Sequence, residues 1–359
     1  MKVKAVIIGI ITVAVIIYGR QPTRILDEIS MPTAIGYDYA GKNKVKVTYT
    51  STIYKPDKSM ETTTLSAKDE ISKETLSKIQ KKSVGYVVTG KYEVIVYSKK
   101  LARHGIENYI DTLQRDPSIS ENLYLTVVDD EAKKILDKQY GVEDTGMYIS
   151  KLIEHNTENG VLPRMNLHFF LGDYYSKVRD PFLPLLEQDG EDVNIKGVAL
   201  FKGGRYVKTL RQDQLFTFRA LIEKVTLGNF KVKLSSSEYA SIEGIRTRHR
   251  YHVRNGKKEP EIDIDLYVKG NIREYQGKKL DERKSKKIEK KVEEKLEKQA
   301  TSMIRSFQKS NIDPLGLGRQ VRSRTRDFSN KKWREQYSDV KVNVRANAII
   351  TEKGVVDGE

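Results

Sequence analysis

Cysteine is absent from all 359 residues. That absence excludes a disulfide framework, thiolate metal sites and a cysteine nucleophile. Histidine is scarce, at His104, His155, His168, His249 and His252. His249 and His252 stand three apart on an expected strand, so they point to opposite faces and cannot chelate together. His104 and His155 fall on separate expected helices and His168 on an expected strand. Ordinary structural or surface roles account for all five. No Gly-x-Ser-x-Gly elbow, His-Glu-x-x-His helix or phosphate-cradling loop is present. Gly316-Leu-Gly318 is too short for a dinucleotide fingerprint and reads as a helix stop and tight turn. The single tryptophan, Trp333, has Phe328 nearby, whereas a nucleic-acid stacking platform needs several interleaved aromatics. Asp129-Asp130-Glu131 and Glu191-Asp192 read as helix caps and dipole partners rather than as a glycosidase pair. The chain is therefore expected to be no enzyme, with no cofactor and no metal. It also carries no internal repeat and no low-complexity linker.

The chain does carry a leading apolar segment. Lys2 and Lys4 precede a run from Ala5 to Ile17, followed by Tyr18-Gly19-Arg20. A positive start, an apolar centre and a small residue form an export signal. As a helix, Ala5 to Tyr18 covers about 21 Å at ~1.5 Å per residue. A bilayer core is about 30 Å thick, so the segment is short for a span, although Lys2, Lys4 and Arg20 extend its reach by snorkelling. Residues 1–19 are read as an export signal or membrane anchor, either kept or cleaved after Gly19.

The chain has a formal net charge of +16. The excess is concentrated: Asn271 to Arg334 holds 20 lysines and arginines against 9 aspartates and glutamates, an excess of 11. Arg319, Arg322, Arg324, Arg326, Lys331 and Lys332 form the candidate partner-facing basic patch. Such a surface suits an anionic membrane or an acidic partner. Export argues against nucleic acid.

Hydrophobic periodicity divides the rest. Strands are expected at Val45–Ile53, Tyr92–Tyr97, Leu123–Val128 and Met165–Leu171. Helices are expected at Ser66–Lys82, Leu101–Leu113, from Asp130 as cap through Leu136, and at Thr145–His155. Val193–Leu210 reads as a hairpin around Gly203-Gly204, whose missing Cβ permits the positive φ of a tight turn; a helix from Asp213 to Val225 follows. Beyond Leu227-Gly228 come β-type runs at Phe230–Leu234, Tyr239–Val253 and Ile262–Val268, with Asn255-Gly256 as a turn. The longest helix is expected over Asp281–Asn311, with Ile288, Val292, Leu296, Ala300, Met303 and Phe307 in one stripe. Asp313-Pro314 ends it and a final strand runs Val340–Ile350. The fold class is α+β, a multi-domain mixed α/β chain. Residues 20–225 form an N-terminal α/β region, read as two subdomains. Residues 226–359 form an antiparallel sheet covered by the long helix.

The order of motifs resembles the spore germination receptor C-subunit lipoprotein family. The matching features are Leu101-Ala-Arg-His-Gly105 with Gln114-Arg115-Asp116, then Ala132-Lys-Lys-Ile-Leu136. Ile195-Lys-Gly-Val-Ala-Leu-Phe-Lys202 and Ser241-Ile-Glu-Gly244 follow. The series ends with Asp313-Pro-Leu-Gly-Leu-Gly318, Lys332-Trp333 and the final strand through Gly354. The resemblance covers essentially the whole mature chain. It implies three domains, no catalytic activity, and a place on the outer face of the spore inner membrane. There it implies work with permease-like and multi-span membrane subunits in a nutrient receptor that triggers germination. The chain departs from the family pattern at one point: the lipid-bearing cysteine is expected where Arg20 stands, and Arg20 has no thiol. An alternative from the charge alone is an exported surface module that binds anionic lipid or polyanion through the basic C-terminal face.

Overall fold

A computed structural model of the chain describes residues 29–54, 60–70, 72–225, 227–277 and 280–352, together with Lys4, Gly9 and Thr12. Arg20 lies outside the described residues. Among the described residues no helix is long and apolar enough to cross a membrane.

Most of the first two-thirds of the chain builds one sheet. Its strands are β2 (Ala34–Tyr39), β3 (Val45–Tyr54), β4 (Met60–Asp69), β6 (Val94–Ser98), β7 (Tyr124–Val128), β8 (Phe182–Asp189), β9 (Asp192–Lys202) and β10 (Arg205–Arg211). The spatial order is β10-β9-β8-β7-β6-β2-β3-β4. The central four, β8-β7-β6-β2, are parallel, and antiparallel hairpins flank them on both sides. A strand buried on both faces needs a continuous apolar run, and β6, Val-Ile-Val-Tyr-Ser, is buried along its whole length. A separate parallel pair, β1 (Ile29–Ser30) with β5 (Tyr86–Val87), lies beside it.

The helices that cover this sheet are α1 (Ser72–Gln80), α2 (Lys99–His104), α3 (Glu107–Arg115), α4 (Ala132–Leu136), α5 (Thr145–Glu158), α6 (Leu167–Tyr174) and α7 (Gln212–Ile222). Several differ from the sequence reading. Ser66–Asp69 belongs to β4, so the helix expected over Ser66–Lys82 starts only at Ser72. The helix expected over Leu101–Leu113 breaks at Gly105, whose φ of 118° leaves the helical region. There the Ile106 N–H donates to the Gly204 carbonyl of the β9–β10 turn at 2.9 Å. Met165–Leu171 is not a strand. The Asn166 side chain accepts from the Phe169 N–H at 3.1 Å and starts α6, which buries Leu167 and Phe170; a short apolar run does not by itself separate helix from strand. Asp130 pairs with Lys134 instead of capping α4. The cap comes from β2: the carboxylate of Asp38 accepts from Ala132 N–H at 2.7 Å and Lys133 N–H at 3.0 Å.

The last third forms a four-stranded sheet in the order β11 (Phe230–Lys233), β12 (Tyr239–Arg254), β13 (Glu261–Gln276), β14 (Lys341–Glu352). β11, β12 and β13 are antiparallel, and Asn255, at φ 53°, turns β12 into β13. The expectation of a wholly antiparallel sheet needs one correction: β14 runs parallel to β13. The reason is the connection. The long helix α8 (Glu282–Lys309) runs back along the sheet between them, which returns the chain in its original direction. α8 buries Ile288, Val292, Leu296, Ala300, Met303, Ile304 and Phe307. Each of these side chains larger than Ala300 stabilises the fold by about 1.5–3 kcal/mol on leaving water. Its first half packs with Ile242, Ile245 and Leu266 of the small sheet. Its second half joins Phe218, Phe182 and Ile264 in the larger core.

Candidate functional site

The chain after α8 is where the C-terminal third meets the N-terminal region. Asp313 is 5% exposed, and its carboxylate accepts from the Leu317 N–H at 2.9 Å and the Gly318 N–H at 2.7 Å. These are the first amides of α9 (Leu317–Arg322). Gly316 makes the turn at φ 72°, a conformation that glycine adopts without a Cβ penalty. Gly318 lies under Trp333 of α10 (Asn330–Gln336); a Cβ there would stand 2.4 Å from the indole Nε1. The Asp-Pro-Leu-Gly-Leu-Gly series is thus a capped turn whose last glycine makes room for the only tryptophan.

The same turn is bonded to the N-terminal region. The Asp313 N–H donates to the Asp180 carboxylate at 2.7 Å, and the Asp180 N–H donates to the Asp313 carbonyl at 2.9 Å. Arg179 Nε donates to the Pro314 carbonyl at 3.2 Å and lies 3.3 Å from the Asp173 carboxylate. Arg319 completes the group, with Nη2 3.2 Å from Asp173. Burial dominates the electrostatics here. It pushes the Asp313 carboxyl up to about 7, against the pull of its two N–H donors. Burial also raises Asp173 and Asp180 and lowers the Arg179 guanidinium. The space among Asp180, Asp313, Trp333, Arg334 and Tyr337 is about 10 Å³, roughly the volume of one water probe. These acids form a structural joint between the two regions.

The six basic residues singled out from sequence fall on and after α9, but they are not equivalent. Arg319 is engaged by Asp173, as above. Lys332 Nζ donates to the Lys257 carbonyl at 2.8 Å, on the β12–β13 turn. Arg324 bonds Gln320 and Ser323, neither of them acidic. Arg322, Arg326 and Lys331 are exposed. A groove of about 210 Å³ adjoins them, lined by Lys257, Thr325, Phe328, Ser329 and Lys332 among others. The segment therefore presents a cationic surface on a hydrogen-bonded base.

The histidines are dispersed. His249 Nδ1 lies 2.9 Å from the Ala220 carbonyl, while His252 lies 3.2 Å from Asp265 on the other face of β12. His168 sits on α6 beside Glu121 at 3.0 Å, on a helix instead of the expected strand. Asp129 of the acidic cluster is held by Lys99 and Lys196, at 2.5 and 2.8 Å.

Sequence reasoning missed Asp173, Arg179 and Asp180. One signal was available: Asp180-Pro181 repeats the Asp313-Pro314 dipeptide, and both mark chain turns. The pairing of the two dipeptides is tertiary and has no local signature.

Comparison with known proteins covers both halves of the chain. A family model described as "Spore germination protein N-terminal domain" matches residues 22–188, and one described as "Spore germination B3/ GerAC like, C-terminal" matches residues 196–354. The spore germination protein GerQC of Bacillus cereus is 31% identical over 349 residues, 96% of this chain and 97% of that protein. The putative spore germination protein YfkR of Bacillus subtilis (strain 168) is 23% identical over 305 residues, 81% of this chain and 79% of that protein. The crystal structure of the GerBC protein shares the fold, with a TM-score of 0.56 at 16% identity, over 88% of this chain and 96% of that one. With both family models matched in order and a relative aligned nearly end to end, the chain belongs to the Ger(x)C family of spore germination proteins, the germinant-receptor C subunits.

Proposed function

We propose that this protein is a non-enzymatic subunit of a membrane nutrient receptor that triggers spore germination. It works beside permease-like and multi-span membrane subunits at the outer face of the spore inner membrane. The observation that carries the reading is the seating of the cationic segment. Arg322, Arg324, Arg326 and Lys331 are exposed, on and after α9, which is capped by buried Asp313, and Asp180 ties that cap to the N-terminal region. A charged surface whose support is already hydrogen-bonded binds with less ordering cost. In this reading residues 226–359 supply the docking unit, residues 20–225 its support, and residues 1–19 the export signal or anchor. The test is affinity purification of the tagged full chain from detergent-solubilised spore membranes. Co-purification of a permease-like membrane protein is the expected result. A normal nutrient response after deletion of the gene, with no paralogue to cover it, would overturn the reading.

A second reading rests on the same excess of charge: an exported module binding anionic lipid or polyanion. It requires binding to anionic vesicles that falls steeply with salt. Salt-insensitive binding, or none, removes it.

A further inference from the structure

Residues 1–28 include the apolar run Ala5–Ile17, and β1 follows them directly in the chain. Within β1, Ile29 stands opposite Tyr86 and Ser30 opposite Val87. The Ser30 and Ser51 hydroxyls are 3.1 Å apart, which places this pair against β3. Ile53 lies two residues beyond Ser51, and side chains two apart on a strand share a face. Three large apolar residues are exposed in these segments: Ile53 on β3 at 52%, Val84 in the turn before β5 at 110% and Tyr86 on β5 at 48%. Lys81, Lys82 and Lys91 are exposed on the same stretch as Val84 and Tyr86. The position of β1 also limits its distance from the leading segment. The eleven residue steps from Tyr18 to Ile29 span at most about 40 Å even when fully extended.

Exposed apolar tips, an interfacial tyrosine and surrounding lysines are the composition of a protein surface at the lipid headgroup level. The apolar tips enter the acyl boundary, the tyrosine ring sits at the interface, and the ammonium groups meet lipid phosphates. We infer that the β1–β5 edge, with Ile53, Val84 and Tyr86 exposed around it, is the lipid-contacting face of this protein. The inference rests on the membrane-held reading above and adds an orientation to it. The edge lies against an anionic bilayer, and the Arg322–Lys331 surface is left for the partner subunits.

The absence of cysteine makes the test direct. Val84→Cys and Tyr86→Cys, each in the full chain, take one environment-sensitive NBD fluorophore. Ile349→Cys, 59% exposed on β14 of the other sheet, serves as the reference. Each protein is reconstituted with phosphatidylcholine vesicles containing phosphatidylglycerol and floated on a density gradient. Flotation with a several-fold rise and blue shift of the fluorescence at 84 and 86 is expected, quenched by spin-labelled lipid, while the label at 349 stays aqueous. Flotation with 84 and 86 in water overturns this inference and leaves the membrane reading standing. Equal lipid exposure at 349 also overturns it, because the contact then has no preferred face. Failure to float overturns the membrane reading and this inference together.

Discussion

Glu293 of α8 accepts a hydrogen bond from the backbone N–H of Ala348 on β14 at 2.9 Å. It is the middle rung of three. Glu297 accepts from Ala346 and Glu289 from Ile350, each also at 2.9 Å. The spacing is physical: four helical residues advance about 6 Å and two strand residues about 6.6 Å. A helix and a strand running in opposite directions therefore keep step over three rungs. β14 is an edge strand, and unpaired edge N–H groups invite a second chain; here three of them are occupied by carboxylates. On the opposite edge Lys295 Nζ donates to the Lys231 carbonyl of β11 at 2.6 Å, so the same helix also reaches the other margin of the small sheet.

The triple variant Glu289→Ala, Glu293→Ala, Glu297→Ala should therefore self-associate. A charge-assisted hydrogen bond contributes about 1.5–3 kcal/mol, so the loss is of the order of several kcal/mol and the thermal midpoint drops. Sedimentation velocity across a concentration series checks the association. A triple variant that stays monomeric would show that the edge needs no cover.

Gly318→Ala tests the joint. The added Cβ meets the Trp333 ring well inside contact distance, at 2.4 Å from Nε1 and 2.8 Å from Cε2. Overpacking of this kind costs about 1–3 kcal/mol. Since Trp333 is the only tryptophan, its fluorescence reports the site without interference. A red-shifted emission and a lower urea midpoint are expected; unchanged emission would mean that α9 and α10 separate without cost.

How much of this was readable in advance follows from the range of each interaction. The α8 stripe repeats every three or four residues, and all six predicted members are buried. The β12–β13 turn at Asn255-Gly256 and the β9–β10 turn at Gly203-Gly204 are local and were also legible. The Asp180–Asp313 bond joins residues 133 apart, so no window along the chain contains it. α4 illustrates the same limit, because its cap is Asp38 on a neighbouring strand and not the adjacent Asp130. The parallel direction of β14 depends on where α8 lies, which the stripe alone does not specify. The basic patch was legible as a cluster, but the tying down of Arg319 and Lys332 was not.

Asp313 gives stability a pH dependence of definite sign. Its carboxyl holds a proton up to about pH 7 when folded and ionises near 3.8 when unfolded. The folded chain thus binds more protons between those values, and this contribution is complete below about pH 3.8 and is lost as pH rises through 7. Each unit of difference is worth about 1.4 kcal/mol. Asp173 and Asp180 are raised as well and act in the same direction. Asp313→Asn should flatten the decline between pH 5 and 7.5 relative to the natural chain. Urea midpoints of both proteins at the two pH values measure it; parallel profiles would remove Asp313 from the account.

Arg20→Cys addresses the anchor. It places a thiol directly after Gly19, where thioether lipidation of an exported chain takes place in the family pattern. Intact-mass measurement on the membrane fraction should show a cleaved, diacylglyceryl-bearing chain for the variant and no lipid on the natural one. A variant with the same mass as the natural chain, apart from the substitution, would show that the leading segment is not processed by that route.

Charge reversal separates the two readings of the basic patch. Arg322→Glu, Arg326→Glu and Lys331→Glu change three exposed side chains that make no hydrogen bond or ion pair with another described residue, so the fold and its thermal midpoint should hold. If the surface docks an acidic face of a partner subunit, recovery of that subunit should fall at least tenfold while flotation with anionic vesicles is unchanged. If the surface binds polyanion or lipid, the slope of log affinity against log salt should lose about three ion equivalents, and vesicle binding falls with it. The two outcomes move different measurements. The lipid-contacting edge at Val84 and Tyr86 predicts the first: a chain held to the bilayer by one end keeps its membrane affinity when the charge of another surface is reversed.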